Sequence, residues 1–188
     1  MKMQSLGVLW DRFYWWLNSP DVLAMLTQNR FLLILLVIVL LRIKYNTYRS
    51  MWASALVNIP GTVLHELMHY VVGLVMNAKP CNFTIFPRRG DNGVYVMGSV
   101  GFRNVTFYNA IPSAMAPILL LFIGFYLNRY YLPIMPLNAF NYISYVLLQT
   151  IIIENAVPSG ADFRVATMYL KGVLLYGGIL MIWLMSFL

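Results

Sequence analysis

The sequence predicts an α-helical integral membrane protein with about five transmembrane helices and a short membrane-associated β-hairpin. Three observations carry that expectation. Of the 188 residues, 61% are hydrophobic and 10% charged, against about 45–50% and 25% in a soluble domain. The apolar residues fall in long runs, and the runs are separated by breaks rich in Gly, Pro and polar residues. A soluble fold of this size also has too little interior for so many apolar side chains, which leaves a lipid bilayer as their solvent.

Residues 1–19 mix Trp10, Phe13, Tyr14, Trp15 and Trp16 with Lys2, Asp11, Arg12 and Asn18, a pattern suited to a helix at the headgroup level. Asp11 and Arg12 interrupt the apolar stretch too early for a signal peptide. Ser19-Pro20-Asp21 reads as the start of a long helix, with Ser as cap and Pro at the first helical position. Its core, Phe31 to Leu41, is the first span, with Arg30, Arg42 and Lys44 placed to snorkel to the interface. Met51 to Met76 is the second, with Pro60 expected to kink it.

Residues 78–107 change character. Asn82 to Phe86 and Val94 to Met97 read as strands around a turn-rich segment, 87–93, which predicts a hairpin at the membrane surface. A third span is expected from Ala110 to Leu127, a fourth from Phe140 to Ile153 and a fifth from Phe163 to Leu188. The fourth reaches only about 21 Å as a helix, short of a hydrocarbon core about 30 Å thick. It should therefore end at depth, where the broken segment Glu154 to Asp162 can persist only if protein or a wet cavity satisfies its backbone. The chain thus divides into residues 1–48, an interfacial segment with the first transmembrane helix, and a core of residues 49–188.

The 13 Lys and Arg against 6 Asp and Glu give +7. Because the basic residues sit mostly between apolar runs, they vote on orientation and do not point to nucleic acid. Five spans with a cytosolic N-terminus place Lys2, Arg12, Arg30, Lys79, Arg88, Arg89, Arg103, Arg164 and Lys171 on the cytosolic side, nine of the 13. The hairpin and residues 154–162 then share that side, and the expected active site lies nearer to it. A single cysteine, Cys81, excludes an internal disulfide framework.

The only two histidines lie in His65-Glu66-Leu67-Met68-His69. Four residues apart, both imidazoles face one side of a helix and can reach one metal ion, while Glu66 is turned about 100° away, free to act as a base on water. An ionisable triplet at that depth is costly and functional by default. Gly61 and Gly73 continue the same four-residue spacing, so small residues flank the metal positions and let neighbours approach. A catalytic zinc needs a third protein ligand. Asp162, placed where a helix restarts after Pro158 and Gly160, is the favoured candidate; Glu154 is the alternative, at the metal or behind it.

An HExxH within a span, a hairpin, an intervening span, and then Asn155-Ala156-Val157-Pro158 followed by Asp162 resembles the site-2 protease family of intramembrane zinc metalloproteases. The likeness covers roughly residues 51–170, and it corresponds to a minimal member without an appended soluble domain. It implies one zinc ion on His65, His69 and Asp162, Glu66 as general base, and Asn155 lining the site and steadying substrate or oxyanion. It further implies that the activity is hydrolysis of peptide bonds in or near transmembrane segments. The partners implied are a transmembrane protein substrate and the lipid bilayer. Phe83, Ile85, Val94 and Val96 are candidates to hold an unwound substrate by edge pairing.

Overall fold

Breaks in the sequence become breaks in the helices, several of them sharper than the apolar runs suggest. The computed structural model describes residues 2–89 and 95–187. Helix α1 (Lys2–Leu17) carries the aromatic segment. Helix α2 (Pro20–Gln28) begins as expected, with Ser19 at the cap position and Pro20 first, although the Ser19 side chain makes no capping bond. The long helix expected from there stops after nine residues. Asn29 leaves helical geometry, and its side chain accepts from the Phe31 and Leu32 N–H groups, which starts α3 (Arg30–Asn46) afresh.

Helix α4 (Met51–Val75) runs through Pro60 for 25 residues, about 37 Å. It ends in a hydrogen-bonded cap. Ala78 N–H donates to the Gly73 carbonyl and Asn77 N–H to that of Leu74, with Asn77 in the left-handed region at φ 57°, a conformation Asn tolerates better than most residues. The chain then enters the predicted hairpin, which is longer than the sequence suggests. Strand β1 (Pro80–Thr84) pairs antiparallel with β4 (Ser99–Phe102), and β2 (Arg88–Arg89) with β3 (Tyr95–Val96). Register slips between Cys81 and Thr84, where Asn82 takes φ 52°, a bulge that bends the strand. Phe83 and Val96 lie in paired strands and Ile85 in the gap between the two ladders; Asp91 and Val94 lie outside the described residues.

The expected third span is not one helix from Ala110. It comprises α5 (Ala110–Ala114), a 3₁₀ turn at Ala116–Ile118 and α6 (Leu119–Tyr126), with a wide helical turn to Tyr131. Pro117 forces the first break, since it has no N–H for the helical ladder. Helix α7 (Ala139–Asn155) is the expected short fourth helix. The expected fifth is two helices, α8 (Gly160–Ala166) and α9 (Leu170–Met185), set at 93° to one another. Among the described residues, Phe31–Arg49 and Ala116–Ile134 are long and apolar enough to cross a membrane, and α8 with α9 would make a third if that bent pair is one span. Helix α4 has the length, but its polar residues keep it out of that group.

Large apolar side chains cover the outside. Phe122, Phe125, Ile182 and Trp183 are exposed, whereas the buried clusters are small. Leu120, Ile152 and Ala156 join α6 to α7 against Leu64 and Met68 of α4; Tyr142, Tyr145 and Val146 of α7 pack against Leu33, Leu36 and Val37 of α3. That distribution is consistent with a membrane protein, in which helices associate by close packing and hydrogen bonds because lipid already solvates their apolar faces.

Candidate metal centre

Two helices supply the candidate ligands. His65 and His69 project from α4 one turn apart, with Nε2 atoms 3.2 Å from each other. Asp162, in the first turn of α8, brings Oδ2 to 3.5 Å from His65 Nε2 and Oδ1 to 3.2 Å from His69 Nε2. The three ligand atoms lie within 4.8 Å of one another, and the group could hold a metal ion.

Each imidazole is oriented from behind by a backbone carbonyl. His65 Nδ1 donates to the Asn155 carbonyl and His69 Nδ1 to that of Ser113, both at 2.8 Å. A carbonyl can only accept, so both Nδ1 atoms carry hydrogen, and in the neutral rings both Nε2 lone pairs point inward. Two inward lone pairs and a carboxylate at such distances repel one another unless a cation lies among them, and that is the donor set a metal ion needs.

Both carbonyls are free because helices fail there. In an unbroken α-helix the Ser113 carbonyl would accept from residue 117, which is proline. The Asn155 carbonyl would accept from Ser159 N–H, but Pro158 ends α7 first. Ser159 N–H instead donates to Asp162 Oδ2 at 2.6 Å, while Asp162 N–H donates to Ser159 Oγ at 3.2 Å. This reciprocal capping box starts α8 and fixes the ligand carboxylate in the same stroke.

Glu66 is buried, and its carboxyl makes no hydrogen bond with a described residue. Together with His65, His69, Asn155 and Asp162 it lines a cavity of about 520 Å³, closed on one side by residues 96–102 of the hairpin. Gly98 lies over it so closely that a Cβ there would come within 2.9 Å of Glu66 Oε1 and 2.5 Å of Thr62 Cγ2. Gly61 and Gly73 do admit close neighbours: the Asn155 side chain lies against Gly61, and the Phe102 ring of β4, in place of a helix, lies 2.5 Å from where a Gly73 Cβ would be.

No protein-family model, curated protein or solved structure matches the chain. The site therefore has to be read from its own geometry. That geometry separates the two candidate carboxylates. Glu154 is held away from the metal position by Lys44 of α3, whose Nζ donates to Oε2 at 2.6 Å, and by Tyr45, whose hydroxyl donates to Oε1 at 3.4 Å. Lys44 accordingly turns inward and does not snorkel outward. The Asn155 side chain borders the cavity but donates to the Ile151 carbonyl at 2.8 Å, so its contact with the metal ligands runs through the main chain. Ser113, Gly98, Ser159 and Lys44 escaped sequence reasoning. Only Ser159 left a usable signal, the Ser-x-x-Asp spacing of a capping box.

Proposed function

We propose that this chain is an intramembrane zinc metalloprotease of the site-2 kind, hydrolysing peptide bonds in or near transmembrane segments of membrane proteins. The observation that carries the reading is the convergence of His65, His69 and Asp162 beside a buried Glu66 in one cavity. Tetrahedral zinc with bonds of about 2.0–2.1 Å separates its ligand atoms by about 3.3–3.4 Å; the two Nε2 atoms here are 3.2 Å apart, and the Asp162 carboxylate reaches them through its two different oxygens, Oδ1 at 3.2 Å from His69 and Oδ2 at 3.5 Å from His65. Three protein ligands among the described residues leave a position open, as catalytic zinc requires, whereas a structural zinc site is closed by four.

Zinc, when bound, supplies Lewis acidity that makes water acidic enough to be a nucleophile near pH 7. Glu66 takes the proton at its carboxylate and returns it to the leaving amine nitrogen, a task for which a buried carboxyl beside the ligands is suited. The Asn155 and Ser113 carbonyls keep the two imidazoles aimed, and the capping box does the same for Asp162. A substrate helix must unwind to expose its carbonyls, and a free edge of the hairpin beside the cavity can receive the extended segment by backbone pairing.

In this reading α3, α4, the α5–α6 unit, α7 and the α8–α9 pair form five membrane-crossing units, and the excess of basic residues places the N-terminus and the hairpin in the cytosol. The rival in which Glu is the third ligand needs Glu154 at the metal, and the bond to Lys44 disfavours it. The test is co-expression of wild type and Glu66→Gln with tagged single-span membrane proteins, with metal analysis of both purified chains. Cleavage by wild type alone, about 10²–10⁴-fold faster than by the variant, with zinc in both, is expected. Equal cleavage by both forms, or a wild type without zinc, would sink the reading.

A further inference from the structure

A larger cavity, of about 1000 Å³, lies between α3, α6 and α7, and none of the metal ligands lines it. Leu33, Val37, Leu41 and Tyr45 recur every four residues and make its α3 wall. Leu121, Phe125, Leu137 and Ile153 line it too and are exposed, so it opens sideways through the apolar outer surface. Close packing leaves few voids larger than a water molecule, and a cavity of this size matches the upper end of small-molecule sites, about 300–1,000 Å³.

Its shape excludes a helix. The α3 wall from Leu33 to Tyr45 is about 18 Å long, which gives a mean cross-section of about 55 Å², that of a tube about 8 Å wide. A helix with its side chains is about 10–12 Å across, whereas extended hydrocarbon chains need less. The donors in the walls are spent within the protein, with two exceptions. Thr27 and Thr150 donate to carbonyls of their own helices, Gln149 donates to the Gly124 carbonyl and the Tyr145 hydroxyl, and Tyr145 donates to Asn128 Oδ1. Tyr142 is only 6% exposed, yet its hydroxyl has no partner among the described residues, and neither has the Asn128 amide nitrogen. Asn128 bonds Tyr145, one turn along α7 from Tyr142, so both free donors sit at one end of the cavity. Arg129 follows Asn128 and forms no ion pair with a described residue. At the opposite end, Lys44 already neutralises Glu154.

We propose that this cavity binds one anionic phospholipid, its acyl chains along Leu33, Val37 and Leu41, its ester carbonyls accepting from the Tyr142 hydroxyl and the Asn128 amide, and its phosphate toward Arg129. The chains fill a tube otherwise void and restore the dispersion contacts its walls lack. Two free donors meet the two ester acceptors of a diacyl lipid, where an unmet donor costs free energy. The unpaired cation selects a negative headgroup. The bound lipid completes the packing of α3 against α6 and α7, and the inference stands apart from the metal and the hydrolase reading.

Native mass spectrometry of the delipidated chain in detergent reads the bound lipid directly, on titration with phosphatidylglycerol or with phosphatidylcholine of the same acyl chains. Wild type is expected to take up one phosphatidylglycerol per chain, about fivefold more tightly than phosphatidylcholine. Tyr142→Phe should weaken that binding about three- to tenfold, and Arg129→Gln should erase the preference between the two lipids. Leu41→Trp fills the tube and is expected to lose uptake, whereas the same change at Leu56, exposed on α4, keeps it. Thermal unfolding in the same detergent checks the fold: phosphatidylglycerol should raise the midpoint of wild type and not that of Leu41→Trp. If Leu41→Trp does not fold, the affinities of Tyr142→Phe and Arg129→Gln decide alone. Equal uptake by Leu41→Trp and Leu56→Trp overturns the proposal. So does undiminished binding by Tyr142→Phe, phosphatidylcholine bound as tightly as phosphatidylglycerol by wild type, or the absence of one-to-one uptake.

Discussion

The choice between Asp162 and Glu154 is a choice between two carboxylates only eight positions apart in sequence, and side-chain partners make it. Glu154 has a cation, Lys44, at 2.6 Å; Asp162 has two imidazole nitrogens and a capping N–H. Removing a ligand from a three-residue site abolishes tight binding, whereas removing a carboxylate already neutralised elsewhere leaves the ligand set intact. Asp162→Ala is therefore expected to purify without stoichiometric zinc, and Glu154→Ala to keep it, by elemental analysis of the detergent-solubilised chains. A zinc-free Glu154→Ala beside a zinc-loaded Asp162→Ala would reverse the assignment.

Helix interruptions free backbone carbonyls that uninterrupted helices would occupy. The Ser113 carbonyl is available to His69 because position 117 has no N–H to offer it. Pro117→Ala restores a competing donor and a straighter α5–α6 connection. Losing the group that orients a ligating histidine typically costs about 10–100-fold in metal affinity, and a loss in that range, read by competition with a zinc chelator, is the expected outcome. Unchanged affinity would mean that the carbonyl is held by other packing. These breaks were legible only in part. Pro158 and Gly160 announced the end of α7 and the start of α8, because Pro and Gly act locally. The stop at Asn29 and the 93° bend between α8 and α9 divide stretches expected as single helices, because neither Thr27-Gln28-Asn29-Arg30 nor Thr167-Met168-Tyr169 holds a Pro or Gly to announce a break.

Across the whole molecule, the Lys44–Glu154 pair links α3 to α7 at the edge of the cavity that holds the candidate metal centre. With side chains 12% and 26% exposed, its coupling should fall between the roughly 1 kcal/mol of an exposed pair and the roughly 3–5 kcal/mol lost when one partner of a buried pair is removed. A double-mutant cycle of Lys44→Met and Glu154→Gln, read as thermal unfolding in detergent, is expected to show that the double variant loses clearly less than the sum of the singles. Strict additivity would mean that the two helices are held together by apolar packing alone. The sequence by itself determined the apolar, helical character of this protein, the order of its helices and hairpin, and the His65-Glu66-His69 face, because these follow from composition and from the fixed pitch of a helix. Which carboxylate joins that face, which carbonyls aim the imidazoles, and where Gly98 lies depended on residues tens of positions apart meeting in space. Only tertiary packing decides such meetings, because no local periodicity encodes the distance between one helix end and another.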